Sequence, residues 1–217
     1  GLDTDSISGN SWSDDGTGWS GVDGNLMLRV VLDCGDNCPS DDPCADAIPG
    51  DTNSDGGLNV LDVVGLVAFI LGNAELSECG EVSADFNTDG TVNVLDVVSL
   101  VQSILGGRTF NATSAMMHIN SDGVDIAADG GIGAVQLTLS HDHGFKLELT
   151  ENALVSDYKT DGKTTTLIIV APDTNHIFTT SDIFEVSEAL VVNSEEFIDV
   201  VEVVSEFSLS SAYPNPF

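Results

Sequence analysis

The chain has 217 residues, 41% of them hydrophobic, and sets 36 Asp and Glu against five Lys and Arg, a formal net charge of −31 at pH 7. It is long enough for one large domain or two to three small ones with real cores, while so acidic a surface excludes nucleic acid and anionic lipid as favourable partners. Unless cations neutralise some of the carboxylates, the compact state also repels itself, so bound metal is the first thing to look for.

No apolar run reaches the roughly 20 residues of a membrane span. The two longest, "VVGLVAFILG" and "VVSLVQSILGG", are short and end in Gly. There is no signal peptide, and the chain starts at Gly1 rather than Met, which reads as a processed, mature protein.

Residues 1–49 are rich in Gly, Asp and Ser and hold both tryptophans in "SWSDDGTGWSGVDGN". One strand is expected there, "NLMLRVVLD" at 25–33, followed by the cysteine loop "CGDNCPSDDPC". The segment is too small and polar to form its own core and must dock on something. Cys34, Cys38, Cys44 and Cys79 allow three pairings, with Cys34–Cys38 and Cys44–Cys79 expected. A zinc site is the competing reading, but the Cys-x3-Cys and Cys-x5-Cys spacings lack the paired C-x2-C knuckles of common ribbons. Disulfides point to an oxidising, extracellular compartment.

Residues 50–107 hold an internal repeat: "GDTNSDGGLNVLDVV" from Gly50 returns as "ADFNTDGTVNVLDVV" from Ala84. Each copy fits a calcium loop. Asp51, Asn53 and Asp55 supply the first, third and fifth positions, Gly56 the sharp turn, the Gly57 carbonyl the seventh, Asn59 the ninth and Asp62 the twelfth. In the second copy the same places fall to Asp85, Asn87, Asp89, Gly90, Thr91, Asn93 and Asp96. Calcium takes six to eight oxygen ligands, and alternate positions on a tight turn aim carboxylates at one point. Asp- and Asn-rich turns are common on surfaces; two copies in one register, each running into an apolar helical pattern that stops at Gly, favour two bound ions.

No regular helix precedes either loop, and the twelfth position is Asp rather than Glu, so these are not full EF-hands. The pattern resembles a type I dockerin, a module of two loop–helix repeats that binds cohesin domains. The resemblance implies two calcium ions, three helices and a pseudo-twofold pairing of the main helices. It also implies cohesin contacts at the tenth and eleventh loop positions, here Val60-Leu61 and Val94-Leu95. Cellulosomal dockerins usually carry polar residues at those places. Four apolar side chains there need a cover, either a neighbouring domain of the same chain or a lasting partner.

From 108 to 206 a period of two takes over. "AVQLTLSH", "FKLELT", "TTTLIIVA", "IFEVSEALVV" and "IDVVEVV" read as strands between turns such as Asp129-Gly130-Gly131 and Asp161-Gly162, and roughly seven or eight strands suggest a β-sandwich. The "AVQLTL" and "LIIV" strands resemble those of a cohesin. One chain would then carry both halves of a binding pair, with the helical module folded back on its own sandwich or bound to the next molecule. The second arrangement is head to tail and gives an open filament unless the rotation closes a ring. The strand at 25–33 offers a further route, completing a neighbour's sheet.

The histidines are His118, His141, His143 and His176; "HDH" at 141–143 would put two imidazoles on one side of a strand, where a solvated strand end is the commoner case than a metal site. No catalytic fingerprint is present, so an enzyme is not expected. Residues 207–217, ending "AYPNPF", resemble a linker or the opening of the sorting domain of type IX secretion. Asp5-Ser6-Ile7 matches an acceptor pattern for O-glycosylation at Ser6, and Asn111-Ala112-Thr113 an N-glycosylation triplet. The whole reads as an α+β multidomain chain: a strand-containing N-terminal segment, an all-α calcium-binding dockerin-like module and an all-β cohesin-like sandwich. The expected role is a secreted, non-catalytic subunit that polymerises head to tail, with a cohesin- or dockerin-like protein as the other partner. The rivals are the tail of a larger secreted enzyme and a scaffold docking other proteins at the cell surface.

Overall fold

The computed structural model describes residues 11–14, 19–22, 43–106 and 109–204. The chain divides into two compact units, Gly1–Asp41 and Asp42–Phe217. In the first, β1 (Ser11–Asp14) and β2 (Trp19–Val22) form an antiparallel hairpin that the polar, Gly-rich sequence does not announce. The strand expected at 25–33, the pair Cys34 and Cys38, Ser6 and the "AYPNPF" ending lie outside the described residues.

The second unit is helical first and β-rich afterwards. Helix α1 (Val60–Ile70) and helix α3 (Val94–Leu105) are the two repeats, and α2 (Glu78–Ala84) lies between them. The repeat helices start alike because their sequences start alike. Asn59 and Asn93 are the N-caps, and the Asp three residues on bonds back to the cap N–H, closing a capping box in each. Ser77 caps α2 by accepting from Gly80 N–H at 3.0 Å.

Cys44 and Cys79 are joined across a sequence separation of 35, tying the chain ahead of the first loop to α2. A cross-link of that span removes unfolded-state entropy on the order of 3–4 kcal/mol. The double variant Cys44→Ser/Cys79→Ser should therefore lose about 3 kcal/mol in denaturant unfolding; an unchanged midpoint would mean the staple is redundant.

Among the described residues nine strands follow in two sheets. The four-stranded sheet has the order β10 (Phe184–Val192), β5 (Ala134–His141), β8 (Thr164–Val170), β7 (Val155–Asp161). The five-stranded sheet has the order β11 (Asp199–Val204), β3 (Ser114–Asn120), β4 (Gly123–Ala128), β9 (His176–Thr180), β6 (Leu147–Leu149). All pairings are antiparallel except β11 with β3. Val135, Leu137, Leu139, Leu167 and Ile169 meet Met117, Val124, Ile126 and Phe178 in the core between the sheets.

The run "LIIV" in β8 is apolar without alternation because both of its faces are buried. Leu167 and Ile169 point into the sandwich, whereas Ile168 and Val170 join Ala134, Ala171 and Val192 in a second core shared with Val63, Leu66, Val67, Val97, Val98 and Val101 of the helices. Helix α3 lies against β5 and β10, and α1 against β7. The approach is close enough that a Cβ on Gly133 would sit 2.7 Å from a Val98 methyl. Polar bonds fix the same contact: Lys159 Nζ donates to the Gly72 carbonyl at 2.6 Å, Asn73 Nδ2 to the Tyr158 carbonyl at 3.2 Å, and the Gln102 amide to the Ser194 hydroxyl. The helical module is a third layer over one sheet of the sandwich, and this α+β architecture matches the expected fold class.

On the other sheet, Asp129 ties the end of β4 to the start of β3. Its carboxylate accepts from Thr113 N–H at 2.7 Å, Thr113 Oγ1 at 2.5 Å and Ser114 N–H at 3.1 Å. The Thr113 hydroxyl first, then the Thr113 and Ser114 N–H groups, lower its pKa to about 2. A depressed carboxylate stabilises the fold above its unfolded pKa, and that contribution fades as pH falls through the folded value. The turn should thus survive at pH 3. A carboxyl-carbon NMR titration should place Asp129 near 2, and Thr113→Ala should move it back toward the ordinary 3.8.

Candidate metal centre

The two repeat loops are superimposable in their hydrogen bonding. In the first, Asp51 Oδ1 accepts from Asp55 N–H at 3.1 Å and Oδ2 from Gly56 N–H at 2.9 Å. Asn53 Oδ1 accepts from Asp55 N–H at 2.9 Å, and Asp55 Oδ1 from Gly57 N–H at 3.0 Å. Asp62 closes the ring, taking Asn53 N–H at 3.4 Å on one oxygen and Asn59 N–H at 2.9 Å on the other. The second loop repeats this with Asp85 to Asp89 and Gly90, Asn87 to Asp89, Asp89 to Thr91, and Asp96 to Asn87 and Asn93. Asn59 and Asn93 also present their side-chain amides to the Gly57 and Thr91 carbonyls, at 3.3 and 3.1 Å.

Backbone torsions coincide as well. Gly56 and Gly90 sit at φ +87° and +88° with nothing near a hypothetical Cβ, so these positions want glycine for its torsion and not for space. Ser54 and Thr88 adopt φ +58° and +60° two residues earlier, a feature the sequence does not betray. Thr52 is a further residue missed by sequence reasoning. It is buried, and its hydroxyl donates to the Asp62 carbonyl at 3.0 Å, bracing the loop's two ends.

Asp62 and Asp96 are both fully buried, and Asp51 nearly so. Among the described residues the ion pairs are Lys163–Asp142 and His176–Asp125, so no base neutralises these buried carboxylates. Burial, as the largest effect, raises the Asp96 pKa, and the neighbouring Asp85 and Asp89 carboxylates raise it further against the backbone bonds from Asn93 and Asn87. Also among the described residues, no three His, Cys, Asp or Glu groups by themselves gather as a metal site. The donor set is instead mixed: three carboxylates, amide oxygens and a backbone carbonyl in each loop, all hard oxygens of the kind calcium takes. That set fits the ion. Asp51, Asn53, Asp55, the Gly57 carbonyl, Asn59 and Asp62 would hold one, and Asp85, Asn87, Asp89, the Thr91 carbonyl, Asn93 and Asp96 the other; a bound ion supplies positive charge where buried carboxylates otherwise repel.

The two Val-Leu pairs have different fates. Leu61 is 64% exposed with Val64 beside it at 44%, while Val60 is half-buried. Val94 is 1% exposed inside the shared core, and Leu95 packs against it. The cover expected for the two pairs is thus uneven: the chain's own core encloses Val94 and part of Leu95 and leaves Leu61 open. Asn111 is exposed, with its Oδ1 accepting from Gly131 N–H at 3.1 Å.

The histidines do not form a shared strand face. β5 ends at His141, whose buried ring stacks on Phe145 at 4.1 Å and bonds Thr165 Oγ1 at 2.8 Å, whereas His143 is exposed in the following turn.

Residues 49–105 match the family model of the dockerin type I domain. Such domains bind calcium and are non-catalytic modules found in extracellular proteins. No curated protein sequence matches the chain. Among solved structures, a non-cellulosomal cohesin from the hyperthermophilic archaeon Archaeoglobus fulgidus is similar at 14% identity over 43% of this chain and 87% of that one, with a TM-score of 0.27. No helix among the described residues is long and apolar enough to cross a membrane.

Proposed function

We propose that this chain is a secreted, non-catalytic structural subunit, stabilised by two calcium ions, that assembles with copies of itself into an extracellular filament. The observation that bears most on the reading is the core shared by α1, α3 and the outer face of the four-stranded sheet. The module is folded back on its own sandwich, so the expected route through the helical module of one copy and the sandwich of the next is closed. A helical module built as a layer of its own sandwich is a structural part and not a free adaptor. Head-to-tail growth then uses surfaces other than that helix–sheet contact. Secretion through the type IX route, for which "AYPNPF" is the sequence cue, and glycans at Ser6 and Asn111 belong to the same proposal.

A second reading has its own support. Leu61 and Val64 form an open apolar step on α1, suited to a separate cohesin-like partner that docks the subunit on a scaffold. Electron microscopy of the purified chain with millimolar calcium, repeated after chelation, separates the two. Ordered filaments that vanish on chelation support the polymer. Single particles in both conditions sink it and leave the scaffold reading, which Leu61→Lys would then test by loss of partner binding.

A further inference from the structure

We propose that the outer edge of β11 receives residues 25–33 of a second copy as an added strand; this rests on the assembly reading above and names its contact. A sheet edge offers unpaired N–H and C=O groups, and proteins ordinarily blunt it by shortness, bulges, charge or cover. The four edges here differ in that respect. β6 is three residues long. β10 is broken by a register shift between Val186 and Glu188 and carries exposed Glu185 and Glu188. β7 is covered where Asn73 donates to the Tyr158 carbonyl and Lys159 reaches Gly72. β11 carries the charges of Asp199 and Glu202 but, among the described residues, none of the other devices: it pairs with β3 over six residues without a bulge, and no described strand lies on its other side.

Its flank is also apolar. Val201 and Met116 are partners in the β11–β3 register, and they are 59% and 49% exposed. Phe197, two residues ahead of the strand, is exposed too. Three of the large exposed apolar side chains among the described residues thus lie on β11, on its partner β3 and just ahead of β11.

The occupant follows from charge and pattern. β11 carries Asp199 and Glu202 in a chain of net charge −31, so most of the sequence is repelled by it. "NLMLRVVLD" is β-prone, longer than the six-residue edge, and balances Asp33 with Arg29, one of only five basic residues. Main-chain bonds along the edge would give affinity, and the Met116–Val201 step would select the apolar side chains laid over it. Donor and acceptor are different surfaces of one chain, so the contact repeats without closing on itself unless the rotation makes a ring.

The test uses two full-length variants in millimolar calcium, followed by sedimentation velocity and electron microscopy. Arg29→Glu/Val31→Pro removes the donor; Met116→Lys/Val201→Lys, both at exposed positions, spoils the acceptor. Each is checked for an unchanged circular dichroism spectrum and melting midpoint. Each alone should self-associate at least about tenfold more weakly than the parent. Mixed one to one they should form dimers and nothing longer, since only one intact donor and one intact edge remain per pair. If the parent assembles and both variants do so equally well, the edge contact is wrong and the assembly reading stands. A parent that stays monomeric with calcium at every concentration overturns both.

Discussion

Chelating calcium should lower the melting temperature of the folded chain more than any single substitution. A ligand at millimolar concentration that binds only the folded state with a micromolar Kd contributes ~4 kcal/mol per site. The apo loops hold Asp62 and Asp96 buried without a base to offset them. Calorimetric titration of the parent should count two ions, and Asp96→Ala should remove one of them and lower the calcium-dependent part of the stability by about half. Asp62→Ala should do the same for the other site, and full occupancy in either variant would refute the ligand assignment. The pH dependence has opposite signs with and without the ion. A buried carboxyl whose pKa is raised is most favourable protonated, so in chelator its contribution is present at low pH and lost as pH rises through the folded value. Chelated protein should therefore gain relative stability as pH falls through the raised Asp96 value toward the ordinary carboxylate 3.8. The calcium-loaded protein should lose its ions as the ligand carboxylates protonate at lower pH still.

Neighbouring substitutions in β8 should have separable consequences. Ile168→Ala and Leu167→Ala each delete a fully buried side chain and should each cost about 2–4 kcal/mol. Ile168 faces the helical layer and Leu167 the interior of the sandwich. Amide hydrogen exchange should accordingly quicken in α1 and α3 for Ile168→Ala, and in β3 and β4 for Leu167→Ala. If Ile168→Ala leaves the helices as protected as before, the shared core is not what holds them to the sheet.

Different parts of this arrangement were legible to different degrees. The loops could be read residue by residue because their geometry is local: Asx side chains bond N–H groups two to five positions away, and glycine marks the torsion. β5, β8 and β10 followed from apolar alternation or an apolar run. Helix α2, seven residues long, is too short for a helical period, and came only from the resemblance. β7, "VSDYKTD", is a polar edge strand without an apolar stripe, so nothing in its own sequence distinguishes it from a loop. The hairpin β1–β2 was hidden in the same way by small and polar residues. "HDH" misled because strand period was extended past His141, where the chain turns instead.

By itself the sequence determined the two Asx-rich repeat loops, the capped starts of α1 and α3, and the β character of the second half, since each depends on contacts within a dozen residues. It wrote Val-Leu twice in the same local setting and could not distinguish the copies. Only the tertiary structure decided that Val94 lies in the core while Leu61 faces solvent. Identical local sequence yields identical local structure, but burial depends on what the rest of the chain brings against it, and that is a property of the packed layers.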